Sequence, residues 1–228
     1  MRRVLNIYRS TVGKKVLMAA SGVIFTGFVL GHMYGNLKAF LGAETFNHYA
    51  EFLREMGAPL VMHGQLLWVF RIALILAVLI HVVPAIQLWL LGRSARPVKY
   101  ARKLDILETT FAARTMIWGG ILIGVFVFLH ILHLTTGTLH PDFVHGDAYN
   151  NLVVGFQWVP IPILYIIVMG AICLHLYHGV WSFLQTLGIN HSRYNKYRRP
   201  LAVIVAGVVF VGFISVPVGV LAGILTLN

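Results

Sequence analysis

Residues 66–92 read LLWVFRIALILAVLIHVVPAIQLWLLG. A bilayer hydrocarbon core about 30 Å thick needs roughly 20 apolar residues of helix. This run exceeds that length, with Arg71 as its single charged side chain and His81 set among its aliphatic residues. The rest of the chain has the same character. Of its 228 residues 58% are hydrophobic and 11% charged, where a soluble domain carries about 25% charge. The expected fold is an all-α membrane protein, one compact domain covering 1–228. Five transmembrane helices are expected near 14–41, 62–92, 111–137, 160–188 and 200–226. Met1-Arg2-Arg3 could open a secretory signal, but the apolar run that follows starts late, is too long and ends in no small-residue cleavage site. It is expected to be retained.

The punctuation agrees with these spans. Pro160 and Pro162 suit the first turn of the fourth helix. Gly92 and Gly188 suit helix ends, and Pro84 and Pro217 should kink the second and fifth. Between the first two spans, Phe46, Tyr49, Ala50 and Leu53 recur at i, i+3, i+4 and i+7, the pattern of an amphipathic helix. Gly57 and Pro59 should stop it, and it is expected to lie at the membrane interface. The connection Thr138–Val159 reads as a polar loop.

The net charge of +11 is concentrated in particular loops, so it bears on topology before nucleic acid. Arg2, Arg3, Arg9, Lys14 and Lys15 precede the first span. Arg93, Arg96, Lys99, Arg102 and Lys103 follow the second, and Arg193, Lys196, Arg198 and Arg199 lie between the fourth and fifth. The alternate loops hold Lys38 and Arg54. Basic loops stay inside, which predicts a cytoplasmic N-terminus in a multi-pass protein of the inner membrane of a prokaryote. Cys173 is the sole cysteine. An internal disulfide and a four-cysteine zinc or iron–sulfur site are therefore excluded, and Cys173 reads as a small buried hydrophobe.

Ionisable side chains at membrane depth are rare and mark function. Four of the five spans each carry a deep histidine: His32, His81, His130 and His175. At 1.5 Å per residue, His32 lies roughly 7 Å outward of the middle of its helix and His130 roughly 9 Å outward. His81 lies roughly 6 Å inward and His175 roughly 2 Å inward. Depth therefore pairs His32 with His130 near the outer face and His81 with His175 nearer the inner. Neutral imidazole is a good iron ligand, and a bundle core can clamp a cofactor between facing helices. Two haems, each with both axial positions filled, would move electrons and bind no substrate. The bundle expected is thus four haem-binding helices with a fifth, peripheral one.

His133 and His178 follow the deep histidines at i+3, on the same helix face. A metal cluster built from both His-x-x-His pairs is conceivable. Against it, no carboxylate lies nearby at membrane depth, and His32 and His81 would go unexplained. His133 and His178 are better read as supporting side chains or propionate contacts. Arg71 and Arg114, at helix margins, are candidates to pair with haem propionates, although arginines at such positions also snorkel to lipid headgroups. Gly27, Gly31 and Gly35 line one stripe of the first helix, serving either close helix packing or a porphyrin face. His48, His63, His140, His145 and His191 fall in or near loops and are expected to be solvated or interfacial.

Several segments look like a known family: GHMYGNL at 31–37, LIH at 79–81, FLHILHLTTG at 128–137, and HLYHGVWS at 175–182 with QTLG at 185–188. Together they resemble the di-haem cytochrome b membrane subunit of succinate dehydrogenases and fumarate reductases, from Gly13-Lys14-Lys15 to the fifth helix. The resemblance implies two haem b groups with His32, His81, His130 and His175 as axial ligands, and menaquinone or ubiquinone as the membrane substrate. It implies iron–sulfur and flavoprotein partner subunits on the basic face, which would carry the succinate/fumarate chemistry, and it leaves a higher oligomer of the complex open. By analogy a carboxylate after the first helix would exchange protons with quinone, with Glu51 and then His48 as candidates. Ser21 could instead line an inner quinone site. Two other classes compete: the cytochrome b subunit of another quinone-linked complex, such as a hydrogenase or nitrate reductase, and a histidine-lined metal or proton transporter.

Overall fold

The computed structural model describes residues 8–95, 111–189 and 191–227, and among them it is helical throughout, with no strand. Long helices are α1 (Thr11–Leu37), α3 (Gln65–Ser94), α4 (Phe111–His130), α6 (Pro160–Thr186) and α7 (Ser192–Leu221); short ones are α2 (Ala43–Glu55) and α5 (Ala148–Gly155). A 3-10 turn, Lys38–Leu41, extends α1, and a π-helical turn, Ile131–Thr135, extends α4. Counting those extensions, five helices are long and apolar enough to cross a membrane. The expectations placed on Arg2, Arg3, Arg96, Lys99, Arg102 and Lys103 lie outside the described residues.

Local chemistry sets the helix ends. The Ser10 hydroxyl accepts the amide of Gly13 at 2.9 Å and caps α1, satisfying an orphan donor. Asp147 caps α5 in the same way, accepting Asn150 N–H at 3.0 Å. Gly188, at φ 81°, ends α6 in the left-handed region that glycine adopts without strain. Several boundaries differ from expectation; the second span begins at Gln65 rather than near 62, and the fifth ends at Leu221 rather than near 226. The fifth span begins at Ser192, with the His191 side chain as its cap, and so carries Pro200 inside. Arg and Lys are good helix formers, and the run 193–199 makes a helical lead-in that outweighs the proline's missing amide. Gly92 lies within α3, which continues to Ser94.

The connection before the fourth span is also more ordered than a polar loop. Tyr149, Leu152, Val153 and Phe156 are all buried and join Ala39, Val216 and Leu225 in one cluster. Helix α5 thereby plugs one end of the bundle. Helix α2 forms as expected, over Ala43–Glu55, beside it. Asn47 on α2 bridges the two helices: its Nδ2 donates to Asp147 Oδ1 at 2.9 Å, and its Oδ1 accepts the Tyr149 amide at 2.9 Å.

Among the spanning helices, α1 packs on α3, α6 and α7, and α4 packs on α6. The fifth span carries no deep histidine, yet its contact with α6 is the most extensive in the molecule. Small residues make that approach close, with Ala202 and Ala206 fully buried. Helices α1 and α4 are not closely packed on each other, and neither are α3 and α6. Only 6% of the most apolar window is buried in the spans of α3 and of α4, against 28% in those of α6 and α7.

Candidate functional site

The four deep histidines meet in the two pairs that depth predicts. The rings of His32 (α1) and His130 (α4) lie with centroids 5.8 Å apart. Those of His81 (α3) and His175 (α6) lie 6.2 Å apart. Each pair bridges two helices that are not closely packed on each other. A metal–imidazole nitrogen bond is about 2 Å, so two imidazoles on opposite sides of one metal hold their centres about 6 Å apart. Both separations suit that arrangement.

Hydrogen bonds restrict which ring nitrogen is available. The Ser21 hydroxyl donates its one proton to a carbonyl of its own helix, with Leu17 O at 2.8 Å. Its oxygen is left to accept from His81 Nδ1 at 3.1 Å. His81 is thereby held as the Nδ1–H tautomer, with the Nε2 lone pair free for a metal. His175 Nδ1 is buried without a hydrogen-bond partner, an uncommon state for a polar atom in a finished core. Asn36 Nδ2 lies 3.4 Å from His32 Nε2, beyond the usual N–H donor range. That amide's short bond, 2.8 Å, goes to the His32 carbonyl instead.

Aromatic rings brace the outer pair: Phe28 stacks on His32 at 5.4 Å and Phe126 on His130 at 5.8 Å. Two glycines lie against the rings of the His81–His175 pair. A Cβ at Gly22 would come 3.7 Å from His81, and one at Gly120 would come 3.8 Å from His175. At Gly27, Gly31, Gly119 and Gly124 a Cβ would meet nothing within 4 Å. The four imidazoles, an unpartnered buried nitrogen and the cavity that Gly119 lines beside His175 make a donor set that fits two bis-histidine haems.

Sequence reasoning missed a second polar layer at the outer pair. The Tyr165 hydroxyl sits 3.3 Å from His130 Nδ1 and 3.0 Å from His133 Nδ1. His133, carried by the π-helical turn, is buried and stacks on His140 with centroids 5.4 Å apart. His140 was expected at a solvated or interfacial position and is instead buried. Its Nε2 donates to Asn151 O at 2.9 Å, and its Nδ1 accepts from Asp142 N–H at 3.2 Å. One signal was available. Tyr165 stands five residues inside Pro160 and His130 five before Thr135, so the two share a depth.

The remaining candidates fall elsewhere. Ser21, offered as a quinone-lining residue, is 2% exposed and committed to its own helix and to His81. Glu51 is exposed: its carboxylate accepts from Arg54 at 3.0 Å and meets His63 at 3.1 Å. Those partners, His63 first, hold the carboxyl below its ordinary range. His48 and Arg114 are exposed. The Arg71 guanidinium lies 4.9 Å over the Trp68 ring and, with Arg54, His145 and Asn151, lines a cavity of about 160 Å³. His178 is half-buried beside Trp181, at 6.0 Å. Among the described residues no group of three or more His, Cys, Asp or Glu gathers as a metal cluster would require. Compared with family models, with curated proteins and with solved structures, the chain matches none.

Proposed function

We propose that this chain is a di-haem cytochrome b, the membrane anchor and electron-transfer subunit of a succinate dehydrogenase or fumarate reductase. One observation carries the haem assignment: two histidine pairs, 5.8 and 6.2 Å between ring centres, each bridging helices that are not closely packed on each other. His32 and His130 would hold the outer haem, and His81 and His175 the inner. Bound there, each haem would supply reversible one-electron transfer.

The chain's own residues supply the rest. Ser21 orients His81, and Phe28 and Phe126 brace the outer rings. Arg71 offers a cation to carboxylates at the outer end. The resemblance in residues 31–37, 79–81, 128–137 and 175–188 supports the narrower identity, with iron–sulfur and flavoprotein subunits on the basic face and quinone as membrane substrate.

The test is a reduced-minus-oxidised spectrum of the purified protein with a haem count. Two low-spin b haems per chain are expected. His81→Ala and His130→Ala should each lose one haem, and a different one. A colourless wild-type protein ends the proposal. Loss of both haems from each variant would break the pairing. Co-purified subunits decide the complex: a flavoprotein with a succinate site supports this identity, and a nickel–iron or molybdenum subunit favours a hydrogenase or nitrate reductase.

A further inference from the structure

We infer that Tyr165 is a positioning residue for the outer haem ligand, acting with His133 as one hydrogen-bonded unit that sets the electron-donating strength of His130. The inference rests on the haem assignment above. Its own observation is the single phenol held between two imidazole nitrogens, 3.3 Å from His130 Nδ1 and 3.0 Å from His133 Nδ1.

A phenol has one proton to give, so it donates to one ring and accepts from the other. A ligand His130 binding through Nε2 must carry its proton on Nδ1. Tyr165 Oη then accepts from His130, and its own proton goes to His133 Nδ1, along the shorter contact. The surroundings hold His133 in place to receive it. His140, whose two nitrogens are both taken, stacks on His133 at a 24° interplanar angle. Gly155 lies so close that a Cβ there would come 2.9 Å from His133 Nε2. The π-helical turn Ile131–Thr135 brings His133 to this position, and π-turns are frequent at functional sites.

The consequence is electronic. An acceptor on Nδ1–H pushes density into the imidazole and makes it a stronger ligand. A stronger donor favours the oxidised, more positive iron. His133 amplifies this by taking the phenol's proton and making Oη a better acceptor. The inner pair differs, since its His81 donates to a serine hydroxyl.

The experiment is a redox titration of both haems in purified protein, with the outer signal identified as the one lost from His130→Ala. In Tyr165→Phe, which keeps the ring, both haems should be retained and the outer midpoint potential should rise while the inner stays. His133→Leu should move the outer potential in the same direction by less. The double variant should match Tyr165→Phe alone, because His133 acts through the phenol. An unchanged outer potential in Tyr165→Phe with both haems present overturns the inference and leaves the haem assignment standing. Shifts that add in the double variant overturn the coupling. A wild-type protein without haem defeats the parent assignment instead.

Discussion

Ser21 is a small residue with a large positional effect. Its hydroxyl has one proton and two lone pairs, and the α1 carbonyls take the proton. What remains can only accept, and His81 Nδ1–H is what it accepts. Ser21→Ala removes that acceptor and leaves His81 its backbone bond to Met18, a loss of about 0.5–1.5 kcal/mol. On the haem assignment proposed above, the inner haem should then dissociate at lower denaturant concentration than in the wild type, with the outer haem unmoved, as followed by the loss of each absorbance signal. Equal release of both would mean that Ser21 does not orient the ligand. Glu51 shows the contrasting case of an exposed carboxylate. Its hydrogen bonds with His63 and then Arg54 lower its titration midpoint. A depressed carboxyl contributes to folding above its unfolded pKa, and that contribution fades as pH falls through the lower folded value. A carboxyl NMR titration should place Glu51 below an ordinary glutamate, and His63→Ala should raise it. A midpoint indifferent to His63 would show the contact is not formed in solution.

At the scale of elements, the spanning helices were legible because length and hydropathy alone specify them. Helix α2 was legible from its i, i+3, i+4, i+7 pattern. Helix α5 with its C-cap Phe156 carries the same pattern in Tyr149, Leu152, Val153 and Phe156, but it is a short helix in a stretch punctuated by His140, Asp142, His145 and Asp147. Polarity on one side masked the buried face. The two histidine pairs followed from depth, which is a property of helix length and direction. Tyr165 and His140 were not found, since their roles depend on a π-turn and on a cap that closes over it, and neither leaves a periodic trace. That cap makes a firm prediction. Gly155→Ala would drive a Cβ to 2.9 Å from His133 Nε2 and 3.1 Å from His140 Nε2. Overpacking of this kind costs about 1–3 kcal/mol. Thermal unfolding in detergent should register the loss, whereas Gly146→Ala, on the open side of the loop, should be strained only through its φ of 90°. A Gly155→Ala protein as stable as wild type would mean that the two histidines are not packed against α5.

The whole molecule is polarised by charge. Among the described residues, Arg9, Lys14, Lys15, Arg93, Arg114, Arg193, Lys196, Arg198 and Arg199 lie toward one end of the bundle, with no acidic side chain among them. The end capped by α2 and α5 holds Lys38, Arg54 and Arg71 together with Glu44, Glu51, Glu55, Asp142 and Asp147. Positive loops are retained on the cytoplasmic side during insertion, whereas acidic residues contribute little to orientation. The His32–His130 pair, the Tyr165 layer and the α2–α5 cap should therefore face away from the cytoplasm, with the His81–His175 pair nearer the basic face. Cys173, alone and half-buried in mid-helix, makes the test clean. In a Cys173→Ala background, single cysteines at Thr45 and Thr138 should react with a membrane-impermeant maleimide on intact cells. One at Ser192 should react only after permeabilisation. The opposite labelling pattern would turn the molecule over and put the His32–His130 pair on the cytoplasmic side.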